Sequence, residues 1–194
     1  MNRKTPIILL LALTGPLMAQ TRKVEDYSAL LAQKATLATT PTVYVNKKYG
    51  YQMAIPGWLD LQETGNERVA GGLLPSVGGI KNAVAVKASP KTEFASFEAY
   101  KNYVYGDNKA GQPVTMNPQM IWEGGQELSD SDPKKPTYEV FIKARSLVYH
   151  CRFVLMETPK AYLLIDLWAT EATYFQNVDR FKAFLAGIKP ASGK

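Results

Sequence analysis

Histidine and cysteine are almost missing from this chain of 194 residues, which has one of each, the adjacent His150 and Cys151. That excludes a Cys₂His₂ zinc site, a multi-histidine metal cage and any internal disulfide. Charge is sparse as well, at 21% of residues, with 23 Lys and Arg against 17 Asp and Glu. The basic excess is scattered, its densest points being the pairs Lys47-Lys48 and Lys134-Lys135. A nucleic-acid binder carries a denser basic stripe, so solvated surface lysines are the reading here. Long apolar runs are absent too. The longest, Ile7 to Leu13, falls short of the roughly 20 residues that cross a bilayer. Gly-x-Ser-x-Gly, His-Glu-x-x-His and the phosphate-binding loop are all lacking.

What is present at the start has the layout of an export signal. Arg3 and Lys4 precede the apolar run, Gly15-Pro16 breaks it, and Leu17-Met18-Ala19 offers a cleavage point before Gln20. Residues 1–19 are therefore read as a signal peptide, and their removal takes the formal charge from +6 to +4. The expected destination is the periplasm or the exterior, without a stable membrane anchor after cleavage. Residues 20–41 read as an arm and linker: Val24, Tyr27, Leu30, Leu31 and Ala35 recur at helical spacing before Thr39-Thr40-Pro41-Thr42. One α+β domain is expected over 42–190, then a tail, 191–194.

Within it, Thr42–Asn46 and Tyr51–Ile55 flank the turn Lys47-Lys48-Tyr49-Gly50 as a hairpin, with Trp58 capping the core after Pro56-Gly57. Val69 to Ser89 carries strand material interrupted by Gly71-Gly72 and Gly78-Gly79. Ser96 to Tyr105 reads as a helix capped by Ser96, with Phe97, Tyr100 and Val104 along one stripe. Lys109 to Pro118 reads as a surface loop. Three strand-length runs follow, Thr137–Arg145, Leu147–Met156 and Ala161–Ala169, linked tightly enough to demand antiparallel pairing. Alternation of Tyr138, Val140, Ile142 and Ala144 with Glu139, Lys143 and Arg145 predicts one packed and one wet face. A last helix, Thr173 to Ile188, is expected to bury Phe175, Val178, Phe181, Leu185 and Ile188, with Thr173 and Gln176 as a capping box. The fold class is thus an antiparallel sheet flanked by helices.

The run Tyr44-Val45-Asn46-Lys47-Lys48-Tyr49-Gly50-Tyr51-Gln52-Met53-Ala54-Ile55-Pro56-Gly57-Trp58 resembles the opening hairpin of PsbP/Mog1-like (DcrB-like) proteins. Leu163-Leu164-Ile165-Asp166-Leu167-Trp168-Ala169, followed by a helix through Phe181-Lys182-Ala183-Phe184-Leu185, is similar to their closing strand and helix. The resemblance covers about residues 42–190. It implies an α/β/α sandwich used as a binding or assembly module.

Candidate chemistry is thin. On a strand His150 and Cys151 point to opposite faces, so they form no thiolate–imidazolium couple. His150 reads as a partly exposed strand residue. Asp130 and Asp132 lie in an acidic turn ending at Pro133, which lacks the Gly and Glu of a calcium loop. Asp166 interrupts an apolar run. It is expected on the wet face, and if it points inward it needs Arg145, Arg152 or His150. His150 and Asp166 are the candidate polar site. The aromatics Tyr100, Tyr103, Tyr105, Trp122, Tyr138, Tyr149, Tyr162 and Trp168 mainly fill the core, and an interaction surface is sought at Trp122, Tyr103, Tyr105, Arg145 and Arg152. The expected function is a non-enzymatic accessory module for an envelope protein partner, needing no cofactor and no metal. The alternatives are a carrier of small apolar ligands or lipid, and a hydrolase using Asp166 or Glu139.

Overall fold

Residues that alternate apolar and polar side chains, or carry apolar ones throughout, build two antiparallel sheets in the computed structural model, which describes residues 42–62 and 64–191. The leader, the arm of residues 20–41 and the tail beyond residue 191 lie outside the described residues. Strands β1 (Thr42–Asn46) and β2 (Tyr51–Ile55) form the expected hairpin, and β11 (Ile188–Pro190) joins β2 to complete a three-stranded sheet. The larger sheet has eight strands in the order β3-β4-β5-β10-β9-β8-β7-β6. They are β3 (Asp60–Gln62), β4 (Val69–Leu73), β5 (Ala83–Pro90), β6 (Pro113–Val114), β7 (Asn117–Glu127), β8 (Thr137–Ala144), β9 (Leu147–Glu157) and β10 (Ala161–Thr170). Two helices cover it: α1 (Phe97–Lys101), continued by a π-helical turn Asn102–Gly106, and α2 (Glu171–Ala186). The fold is α+β, an antiparallel sheet between helical layers.

Two cores lie on opposite faces of β9 and β10. On one face Leu163, Ile165 and Leu167 pack with Val154, Met156, the buried side of α2 (Tyr174, Val178, Phe181, Phe184) and the small sheet (Tyr51, Met53, Ile188). On the other, Leu164, Phe153 and Leu155 pack with Tyr138, Val140, Ile142, Trp122, Val114 and the α1 side chain Tyr100. The near-continuous apolar run of β10, broken by Asp166, follows from this, because a strand buried on both faces has no wet side to mark.

Several local expectations change. The loop expected over Lys109–Pro118 contains β6, and β7 already begins at Asn117. Gly71 and Gly72 sit inside β4, where a side chain has no room: a Cβ at Gly71 would stand 2.3 Å from the Val84 carbonyl oxygen. Arg145 belongs to the β8–β9 turn, at φ 59. The last helix starts two residues before Thr173, with Thr170 as its cap residue, and no capping box forms. The Thr173 hydroxyl instead donates to Asn82 Oδ1 at 2.8 Å. Ser96 does cap α1, accepting from the Ala99 amide at 3.1 Å.

Candidate functional site

Because neighbours on a strand alternate, β9 sends His150 and Arg152 to the α2 side of the sheet and Cys151 to the other. Cys151 is wholly buried, and burial pushes its thiol well above its ordinary range. Register sets Phe141 beside His150, Glu139 beside Arg152, and Lys143 beside Val148 on the α2-facing side of β8 and β9. Helix α2 packs over β10 and β9. Phe141 and Lys143 on the next strand, β8, remain exposed.

The first turn of α2 completes the arrangement. Tyr174 points inward and lies flat on the His150 ring, at 3.3 Å between centroids and 11° between planes. Phe141 stacks on His150 at 4.5 Å, and Phe175 meets it edge-on at 5.9 Å. Phe175, expected in the buried stripe, is 75% exposed; Phe141 and Val148 are 36% and 46% exposed. The physical reason is one of angle. The helix begins at Glu171, and Tyr174, Asn177, Val178, Phe181 and Phe184 take its inner face, which turns Phe175 outward. The result is an apolar patch of Phe141, Val148 and Phe175 around a buried imidazole.

A polar lock holds the floor of this patch. The Tyr174 hydroxyl donates to Glu139 Oε1 at 2.5 Å, and Arg152 donates to the same oxygen at 2.7 Å and to the tyrosine oxygen at 3.1 Å. Burial works to raise the Glu139 carboxyl, but the bonds from Tyr174 and Arg152 outweigh it and hold the group below its usual range. Burial likewise holds His150 below its ordinary 6.5, against the pull of Glu139 and Glu171. His150 is therefore a buried, neutral, stacked side chain, where partial exposure was expected.

The remaining candidates do not converge on this place. Trp122 is only 4% exposed, in the opposite core, edge-on to Tyr105 at 5.5 Å. Tyr105 stacks on Tyr138 at 4.1 Å, and Tyr103 packs on Phe94 at 5.2 Å. Arg145 is exposed in its turn, and Arg152 belongs to the lock under Tyr174. Trp122 is thus core, and the five residues sought as one surface divide between two faces. Asp166 is not on a wet face either. It has no exposed surface and pairs with Lys87 Nζ at 2.5 Å, on the sheet face opposite His150 and Arg152. Sealed in this way, it is out of reach of a solute. Asp132 accepts from the Lys134 amide at 2.9 Å as a turn residue. Among the described residues, no three His, Cys, Asp or Glu side chains stand together as a metal cage, and no helix is long and apolar enough to cross a membrane.

Phe141, Val148 and Phe175 were not legible as a site from the pattern. Exposed apolar positions read as core until the edge of the covering helix is known.

No protein-family model matches this chain, and no curated protein matches it. Among solved structures it is similar to the solution structure of cyanobacterial PsbP (CyanoP) from Synechocystis sp. PCC 6803. That likeness has a TM-score of 0.50 at 12% identity, over 77% of this chain and 91% of that one. It is also similar to PA94, a protein of unknown function from Pseudomonas aeruginosa, at TM-score 0.46 and 15% identity, over 79% of this chain and 99% of that one. The likeness to CyanoP is one of fold, and the fold is PsbP-like.

Proposed function

We propose that this protein is an exported, non-enzymatic binding or assembly module that acts through protein contacts in the cell envelope. One observation carries the reading. The patch of Phe141, Val148 and Phe175 sits where the large sheet meets the start of α2, and it leaves a phenylalanine 75% exposed to water. Clustered exposed apolar side chains on an otherwise well-packed domain mark a contact surface, and aromatics are the usual anchors of such surfaces. The export-signal layout of residues 1–19 supports an envelope location.

The rim gives the partner a chemistry. Lys143 and Arg145 are exposed beside the patch and make no ion pair among the described residues. A protein segment with an apolar anchor flanked by carboxylates complements that surface.

The test is affinity capture from solubilised envelope of the native host with the full chain, read by quantitative mass spectrometry. Phe175→Ser and Phe141→Ser are compared with wild type and with Val43→Ser, a substitution at an exposed residue of the small sheet. One protein captured in stoichiometric amount by wild type and Val43→Ser, and reduced at least tenfold by the patch variants, is expected. Capture indifferent to Phe141 and Phe175, or no captured protein, sinks the proposal.

A further inference from the structure

We propose that His150 is an acid-sensitive latch: protonating its ring releases the first turn of α2 and opens the apolar patch, so that the patch opens more often as the pH falls below neutral. The use of the latch rests on the docking role proposed above; its operation does not.

Both His150 nitrogens are buried, and neither has a hydrogen-bond partner among the described residues. A buried polar group left unpaired is uncommon and costly, and a neutral imidazole bears that cost with one N–H donor. Protonation adds a second donor and a full charge at the same place. A buried charge without a hydrogen-bonded partner is far more costly than a buried neutral ring.

The groups around the ring make its exit the favoured response. From β8 come Glu139 and Lys143, from β9 Arg152, and from α2 Glu171 and the Tyr174 hydroxyl. Strand β10 sets Ala169 beside His150 and Leu167 beside Arg152 on this face, and neither carries a charge. Arg152 repels an imidazolium, while Lys143 lies one pair farther along the face, opposite Val148. Glu139 already accepts from Arg152 and Tyr174 through one oxygen. Glu171 is exposed at the head of α2, where a charged ring would also find water. Reaching it means leaving the stack with Tyr174, and Tyr174 and Phe175 are consecutive residues of the same turn. Phe141 and Phe175 then lose the ring that both touch, so a proton taken up beneath the patch is read out at its surface.

The size of the effect follows from linkage. In the opened form the ring titrates near its ordinary 6.5, and the closed form resists protonation. Lowering the pH from 7.5 to 5.5 therefore raises the open-to-closed ratio by up to about tenfold.

Amide hydrogen exchange of Glu171–Phe175 in the full chain, corrected for intrinsic rates at the two pH values, reads that ratio. A rise of up to about tenfold is expected in wild type, and none in His150→Phe, which keeps an aromatic ring and cannot titrate. Since the chain has a single histidine, its ring proton resonance can be followed alone in the unaltered protein. It is expected to titrate below 6.5 together with the Tyr174 and Phe175 ring resonances. An equal rise in wild type and variant, or an ordinary titration that leaves those rings unmoved, overturns the latch; the resonances decide if the variant fails to fold. Phe175-dependent capture together with exchange of Glu171–Phe175 that does not change between pH 7.5 and 5.5 overturns the latch and leaves docking standing. Acid release without any Phe175-dependent partner supports the latch and removes the docking role.

Discussion

A carboxylate with no exposed surface has to be matched from inside the protein. Asp166 is matched by Lys87, whose side chain keeps 28% of its surface and whose ammonium also sits 5.5 Å from the Trp168 ring. The two partners are not equivalent. Remove the lysine charge and Asp166 is left buried and unpaired; remove the carboxylate charge and Lys87 can still turn to water. Lys87→Met should therefore cost about 3–5 kcal/mol at neutral pH, and Asp166→Asn well under half of that. Urea unfolding of the two variants compares them directly. The reverse order would mean that the lysine is the trapped charge. Arg145 presents a backbone problem instead. It is the first residue of the two-residue turn between Ala144 and Leu147, at φ 59, in the left-handed region that costs a non-glycine residue about 1 kcal/mol. With its side chain in solvent, Arg145→Gly should stabilise the domain by about 0.5–1 kcal/mol and raise Tm by a few degrees. A fall in Tm would show that the guanidinium makes a contact worth more than the strain.

At the scale of elements, legibility followed the solvent. Strand β8 was readable because its outer face is wet: Glu139, Phe141 and Lys143 alternate with four buried residues. Strand β10 was readable as a strand but not in its facing. Buried on both sides, it offers no polar alternation, so Asp166 looked like an outward residue when it was the polar member of a closed core. Strand β7 went unannounced because Gly124-Gly125 breaks its pattern where the register shifts, between Trp122 and Gly124. In α2 the apolar stripe was legible but its phase was not. Phe175 and Tyr174 are adjacent aromatics, and only the start of the helix at Glu171 decides which one faces the sheet. The candidate site was invisible for the same reason, since it is built from the aromatic that turned outward. His150 was legible only in its separation from Cys151, which strand geometry alone dictates.

At the scale of the molecule, the two cores share one wall. Leu163 and Leu164 are consecutive residues of β10, both buried, with Leu163 in the core beneath α2 and Leu164 in the core beneath α1. Strands β9 and β10 pair over nine residues, and each contributes side chains to both sides, so the two cores rest on one backbone frame. Truncating either leucine to alanine removes buried contacts and leaves a cavity, at about 2–5 kcal/mol each. The location of the probe then becomes informative. The chain has three tryptophans: Trp58 packs on the α2-side core, whereas Trp122 and Trp168 belong to the opposite one. In a Trp58→Phe background, fluorescence reports only the α1 side. If the shared wall makes the domain one cooperative unit, Leu163→Ala should shift the urea midpoint of that remote fluorescence as far as it shifts the far-ultraviolet circular dichroism. Leu164→Ala should move both signals together as well. A Leu163→Ala variant whose circular dichroism midpoint falls while the Trp122 and Trp168 signal holds would mean that the α2 layer unfolds separately, and that β9 and β10 join two units rather than one.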